Sequence, residues 1–281
     1  MQNIAEKINK STIVVNDLMQ FDVDAIMHSG QVFRYTQTQH GYNLIVGKHS
    51  ANIEKQSEKV IITINTTNSA DFFYNYFDLD TDYNKIKTEL QNFKSLQDAI
   101  KAGSGIRILK AEFVETIISF IISANNNIKR FTKTLNALAQ NFGDKLACGG
   151  FAFPTLLQLS TITQSDFAAL GCGYRSAYLV KAIEQLQTMQ SLNVDNLKLL
   201  SNSDLQKTLM QLQGVGAKVA ACIMLFCGDF NRLNTVPIDT WILKALEQLS
   251  AEKEKILTHK YAGIAQQYIF YYMQHLRKDL I

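Results

Sequence analysis

Proline is almost absent from this chain: 281 residues hold two, Pro154 and Pro237. Proline breaks helix interiors, so its scarcity leaves long stretches free to be helical. Cysteine is scarce as well, and Cys148, Cys172, Cys222 and Cys227 include no CxxC pair. That spacing fits neither a zinc site nor an iron–sulfur loop, and a reducing, cytoplasmic setting is the default. Long apolar runs are missing too. The best, FVETIISFII over 113–122, contains Glu115 and falls short of the roughly 20 residues that span a bilayer. The first ten residues, MQNIAEKINK, have no apolar core of signal-peptide length, so nothing points to export or a membrane. Net charge is only +3, which confines any nucleic-acid-binding face to a local patch.

What is present divides in two. The first hundred residues carry STIVV (11–15), QVFRYT (31–36), GYNLIV (41–46) and KVIITI (59–64), short β-branched and aromatic segments separated by polar and glycine-containing ones. They predict an antiparallel sheet. A short aromatic helix over 70–77 and a longer polar one over 82–101 follow, and AGSG at 102–105 marks the joint. Beyond it the strand signal stops. AEFVETIISFIISA (111–124) is apolar on nearly every face, as a central packed helix would be. Helical periodicity recurs over 127–141, 173–190, 203–212, 216–227, 239–249 and 259–277. The expected fold class is therefore α+β: an N-terminal domain over 1–103, then an all-helical body over 104–281.

Within that body, LQGVGAKVAACIMLFC (212–227) places two glycines and a lysine at the mouth of an apolar helix. Gly214 and Gly216 permit a hairpin with positive φ. The following helix then begins near Gly216 with its first N–H groups free, a terminus that attracts phosphate. This is the logic of a helix–hairpin–helix that grips a nucleic-acid backbone without reading sequence. A plain turn between helices with a solvated lysine has the same pattern. Lys218 favours the first reading, because a cation in the first turn opposes the helix dipole. Burial beside Val219 and Ala220 would penalise its charge further, and an uncharged amine is what Schiff-base catalysis requires. Cys222 lies one helical turn on, on the same face.

The next helix opens with TVPIDTWILKAL (235–246). Asp239 suits an N-cap, and it also suits a second role. A carboxylate facing Lys218 stabilises positive charge developing on a deoxyribose as its base departs. A glycine hairpin with a lysine, followed by this aspartate, is far more specific than either part alone.

Together these residues resemble the helix–hairpin–helix (HhH-GPD) DNA glycosylase superfamily, and most of all its 8-oxoguanine DNA glycosylases, in their bacterial branch. SGQVFRY (29–35), ISANNNIKR (122–130), FPTLLQL (153–159), LGCGYRSAYL (170–179) and YAGIAQQYIF (261–270) extend the likeness from about residue 20 to the C-terminus. The resemblance implies a bifunctional glycosylase and abasic-site lyase that extrudes 8-oxoguanine from duplex DNA. It implies a hairpin over about 203–227 and a catalytic aspartate loop over 235–240. Lys218 would attack the anomeric carbon and form an imine, and Asp239 would stabilise the charged sugar. Gly30 would offer its carbonyl to the N7 hydrogen that only the oxidised base carries. Cys222, Gln266 and Phe270 would hold the base, while Asn125, Arg130, Tyr174 and Arg175 would meet the unpaired cytosine. The carbonyls of Met210, Leu212 and Val215 could hold a monovalent cation beside a DNA phosphate. No cofactor is implied, and the expected working form is a monomer on the bacterial nucleoid.

Two departures stand out. Animal and fungal members carry a histidine just after the aspartate, where this chain has Thr240 and Trp241, the latter readable as a core aromatic. Gln213 stands where many relatives have proline, which predicts a less rigid hairpin. The rivals are a sister glycosylase of different specificity and a non-catalytic DNA-binding module. Enzymes for oxidised pyrimidines or mismatched adenine usually carry four C-terminal cysteines, and only Cys222 and Cys227 lie in the last quarter here. Alkylated-base enzymes usually lack the hairpin lysine, and a mere binding module needs neither Lys218 nor Asp239.

Overall fold

The computed structural model describes residues 4–66, 69–189, 192–248 and 252–275. It begins with six strands, β1 (Ala5–Asn9), β2 (Thr12–Val15), β3 (Tyr35–Gln37), β4 (Gly41–Val46), β5 (His49–Lys55) and β6 (Val60–Ile64). They pair antiparallel in the order β1-β2-β6-β5-β4-β3. Alternation decides which face is inside: in β6, Val60, Ile62 and Ile64 are buried while Ile61 and Thr63 are not. Helix α1 (Val23–Met27) interrupts the strands, and α2 (Ala70–Tyr76) covers the sheet with Phe73 and Tyr76.

The helical body comprises α3 (Tyr83–Leu90), α4 (Gln97–Ala102), α5 (Phe113–Ser123), α6 (Ile128–Phe142), α7 (Leu156–Leu159), α8 (Gln164–Ala169) and α9 (Arg175–Thr188). It continues through α10 (Val194–Lys198), α11 (Asn202–Leu209), α12 (Ala217–Phe226), α13 (Thr240–Gln248), α14 (Lys253–Leu257) and α15 (Ala262–His275). The α+β architecture is as expected. No helix among the described residues is long and apolar enough to cross a membrane.

Several local expectations change. β1 and β5 were not expected, because AEKIN buries only Ala5 and HSANIEK mixes small and polar residues. Within 31–36 only Tyr35 and Thr36 are strand; Gln31, Val32 and Arg34 are buried in a loop instead. The polar helix over 82–101 breaks at a 3-10 turn, Lys94–Leu96. Tyr83, Ile86, Leu90, Leu96 and Ile100 join the core of the helical body although they precede residue 103.

α5 and α12 form the spine that carries the site. All side chains from Thr116 to Ile122 are buried, as are all from Val219 to Phe226. Their rings Phe120 and Phe226 stack 5.6 Å apart, with planes 15° from parallel. A short bridge ties Ala111, before α5, to Cys227, after α12: the Ala111 N–H donates to Phe226 O and that of Gly228 to Ala111 O, both at 2.9 Å. The start of α5 is therefore fixed to the end of α12.

Candidate active site

The glycine hairpin joins α11 to α12. Gly214 has φ +83° and needs glycine twice over, because a Cβ there would lie 3.0 Å from Tyr178 Cβ. Gly216 differs from expectation. Its φ of −89° and ψ of −179° are extended backbone open to any residue, and nothing lies within 4 Å of where its Cβ would stand. It caps α12 with no side-chain bond, and the first turn holds no acidic residue. The terminus is thus left with open donors.

The hairpin is held more firmly than Gln213 suggests. From α9, Gln185 Oε1 accepts from Gln213 N–H at 2.8 Å while Gln185 Nε2 donates to the Gln211 carbonyl at 2.9 Å. A proline at 213 would have no N–H for this clamp. Its rigidity comes from a partner helix rather than from the loop.

Lys218 occupies the first turn of α12 and is half-buried rather than enclosed. Its ammonium lies 5.7 Å from the Phe120 ring centroid. Cys222, one helical turn on, is 2% exposed and lines the same cavity. Burial pushes that thiol up to about 11, so it stays a neutral, inert wall. Asp239 caps α13 as expected: Oδ1 accepts from Ile242 N–H at 2.9 Å and its carbonyl from Leu243 N–H at 2.8 Å. The Trp241 side chain falls outside the described residues.

Lys218, Cys222, Asp239, Gly30, Gln266 and Phe270 line one cavity, joined by Ser29, Phe120, Phe226, Pro237 and Gln267. Four separate stretches of chain meet there with α5. Gly30 lies in the loop between α1 and β3 with φ +78°, and a Cβ on it would come within 3.1 Å of Phe270 Cε1. Gln266 is 5% exposed, and among the described residues its Oε1 has no hydrogen-bond partner. A buried acceptor left open at a cavity suits a ligand donor. The cavity is partly open and measures about 50 Å³, room for a few waters and too little to seat a purine.

A second group lies where α5, α6 and α9 begin or end. Asn125 follows α5 with φ +49°, and Asn127 caps α6 by accepting from Arg130 N–H at 2.8 Å. Arg130 is exposed, with Nη2 3.4 Å from the Gly171 carbonyl. Tyr174 is 56% exposed and stands edge-on to Tyr178. Arg175 is no solvated surface residue. Its guanidinium, 5% exposed, donates to the carbonyls of Ala124, Asn125 and Cys172, and it lies against the Tyr174 ring. Among the described residues no three His, Cys, Asp or Glu side chains gather as a metal site.

Sequence reasoning missed Ser29, Phe120, Phe226, Pro237 and Gln267. The phenylalanines are indistinguishable from core within apolar helices. Pro237 had a signal, since one of only two prolines stands two residues before Asp239.

Comparison with known proteins gives the family. Residues 13–117 match the family described as 8-oxoguanine DNA glycosylase, N-terminal domain, and residues 118–268 match the HhH-GPD superfamily of base excision DNA repair proteins. The chain is similar to an 8-oxoguanine glycosylase/lyase of Clostridium acetobutylicum solved with double-stranded DNA containing cytosine opposite 8-oxoguanine. The TM-score is 0.88 at 32% identity, covering 99% of this chain and 98% of that one. An N-glycosylase/DNA lyase of Saccharomyces cerevisiae is 29% identical over 96% of this chain and 79% of its own length. One from Arabidopsis thaliana is 35% identical over 49% of this chain and 39% of its own.

Proposed function

Because the chain belongs to the HhH-GPD superfamily of base excision DNA repair proteins, with the N-terminal domain of the 8-oxoguanine DNA glycosylases, we infer that it excises 8-oxoguanine from duplex DNA and then cuts the strand. It is a DNA glycosylase with abasic-site lyase activity. The observation that carries the chemical reading is the meeting of Lys218 and Asp239 with Gly30, Cys222, Gln266 and Phe270 around one cavity.

In that reading the Lys218 amine, as the free base, attacks C1′ of the damaged nucleotide. The new N–C1′ bond replaces the glycosidic bond, and the base leaves with its electron pair. Asp239, fixed by the α13 N–H groups, stabilises the positive sugar between the two. The ring then opens to an imine, and loss of a C2′ proton expels the 3′ phosphate. Cys222 forms one face of the base slot and Phe270 the other, with the open Gln266 acceptor toward the base edge. The slot as it stands is too narrow for a purine, so Phe270 must swing away from Gly30 as the base enters. Guanine N7 is an acceptor and would face the Gly30 carbonyl as a second acceptor, whereas the oxidised base presents N7–H.

Phosphate binds the bare N-terminus of α12. A monovalent cation on the carbonyls of Met210, Leu212 and Val215 would add positive charge there; the Leu212 oxygen already accepts from Val215 N–H and keeps a second lone pair. The two hairpin glycines are expected to separate fold from function. Gly214→Ala should cost about 1–3 kcal/mol, because a side chain is forced into positive φ against Tyr178. Gly216→Ala should leave thermal unfolding unchanged or slightly raised, yet weaken duplex binding several-fold by roofing the free donors. Melting curves beside fluorescence-anisotropy titrations distinguish the two, and equal affinity for Gly216→Ala would remove phosphate from that terminus.

Opposite the lesion, Asn125, Arg130 and Tyr174 are the exposed contacts, Tyr174 acting as the wedge. Arg175 supports them from behind by holding the Ala124 and Asn125 carbonyls. Turnover should be faster opposite cytosine than adenine by roughly 10-fold or more, the scale of a good base contact. Arg130→Ala should lose most of that preference. Equal turnover of the wild type opposite all four bases would overturn the assignment. The sheet and the helical body remain our division into domains, near residue 103, and a cytoplasmic, nucleoid-bound bacterial setting is the location this reading favours.

The decisive test is borohydride trapping on an 8-oxoguanine duplex. A covalent protein–DNA adduct is expected, and binding without cutting or trapping would favour the non-catalytic module.

A further inference from the structure

Selection of the oxidised base, in the reading above, rests on the direction of one carbonyl. Gly30 sits at φ +78° in a loop, and among the described residues no donor is bonded to its oxygen. A glycine peptide left to itself rotates readily. A carbonyl discriminates N7–H from bare N7 only if its plane is held, so something must hold it.

The peptide that contains the Gly30 carbonyl also contains the Gln31 nitrogen. Gln31 is 6% exposed and does not line the base cavity. Its amide is engaged at both ends. Oε1 accepts from Leu109 N–H at 2.8 Å, and Nε2 donates to the Arg107 carbonyl and to Ser29 Oγ, each at 2.9 Å. The side chain thus mimics a strand residue paired with 107–109, seventy-odd positions away. On the other side of Gly30, Ser29 Oγ donates to the Ile26 carbonyl at 2.7 Å, and the Ser29 carbonyl accepts from Gln267 at 3.4 Å.

The anchor is itself immobile. Arg107 is fully buried, its guanidinium 4.1 Å from the Tyr83 ring centroid. It donates to the carbonyls of Gln20 and Phe77 at 3.0 Å, of Thr81 at 2.6 Å, and of Asp78. A backbone pinned at that many points gives Gln31 a fixed reference.

We propose that Gln31 is a positioning residue for base selection: its buried amide clamps the Gly30–Gln31 peptide to residues 107–109 and so aims the Gly30 carbonyl at N7. The proposal rests on the reading of Gly30 as the N7–H acceptor. Gln31 has both donors spent and does not line the base cavity, so it acts only through its neighbour. The lyase reaction on a site that has already lost its base does not use that carbonyl. A clamp that merely held the fold together would affect both reactions alike.

Gln31→Met keeps the length of the side chain and removes all three hydrogen bonds. Gln31→Glu keeps the acceptor for Leu109 and removes the donors. Wild type and both variants are assayed for single-turnover excision of 8-oxoguanine opposite cytosine, and in parallel for borohydride trapping on a preformed abasic-site duplex. Excision by Gln31→Met is expected to fall roughly 10- to 100-fold, as reactions do when a positioned group shifts by about 1 Å. Trapping on the abasic site should stay close to wild type, and Gln31→Glu should lie between. Unchanged excision in both variants overturns the clamp, and so does an equal loss of excision and trapping in both. The wild-type arm tests the premise by itself. If the wild type traps on abasic sites yet leaves 8-oxoguanine in place, the base assignment falls and takes the clamp with it.

Discussion

Lys218→Gln is expected to abolish borohydride trapping on both 8-oxoguanine and abasic-site duplexes, and to lower base excision by about 10³-fold or more. Among the described residues that line the cavity no other amine can replace it: Cys222, Gln266 and Gln267 line it with Lys218, and the thiol is held neutral by burial. The same substitution should leave the protein as stable as before, or more so. Lys218 places a cation in the first turn of α12, beneath a cap without a side-chain bond; that turn has no acidic residue of its own, and the carboxylate in the cavity, Asp239, comes from the start of α13. Removing a charge from that end of a helix relieves about 0.3–1 kcal/mol, and half-exposure of the side chain means little packing is lost. A melting temperature at or above wild type, together with lost trapping, would mark Lys218 as retained for chemistry against stability. Persistent trapping in the variant would move the nucleophile elsewhere. A large fall in melting temperature would instead make Lys218 a structural residue.

The long helices of the body were legible because their periodicity is strong. The short helices α7 and α8 were not among those expected, although Thr155 and Thr163 form capping boxes with residues three positions on, a signal contained in four letters of sequence. The edge strand β1 was not legible, because a strand that buries one residue in five leaves no alternation to read. The loop 31–34 failed differently: Val32, Phe33 and Arg34 have strand composition, but they are spent on packing the sheet against α5. There Arg34 pairs with Glu115 at 3.2 Å, and both are nearly buried.

The candidate site shows the same division. Gly214, Lys218 and Asp239 are legible because turn, dipole and cap are local physics. Gln266 and Phe270 follow from spacing on one helix once the partner is known. Arg175 and Gln185 were not legible, since each spends its side chain on carbonyls or amides of segments 26 to 51 positions away. Long polar side chains default to the surface in any reading of sequence alone. Their burial here is decided by which loops the fold brings beside them. Gln31 belongs with them: a glutamine in a strand-like run gives no sign that it will dock on Leu109.

Asp239→Asn is expected to separate the two halves of the reaction. Asparagine caps a helix about as well as aspartate, so the bond to Ile242 N–H and the position of α13 should survive, with stability within about 0.5 kcal/mol of wild type. What disappears is the negative charge. Base departure builds positive charge on the sugar, and removing one preorganised group aimed at such charge typically costs about 10²–10³-fold. Excision of 8-oxoguanine should fall by that factor. An abasic site presents an aldehyde in equilibrium with its closed ring, so imine formation there bypasses the departing base. Trapping on abasic DNA should accordingly fall much less. Asp239→Ala removes charge and cap together, and it should add about 1 kcal/mol of destabilisation to the same loss of excision. If Asp239→Asn excises within a few-fold of wild type, the carboxylate serves α13 alone, and the stabilising charge must come from another group. If it loses excision and trapping equally, Asp239 acts on Lys218 itself, in handling its proton, rather than on the sugar.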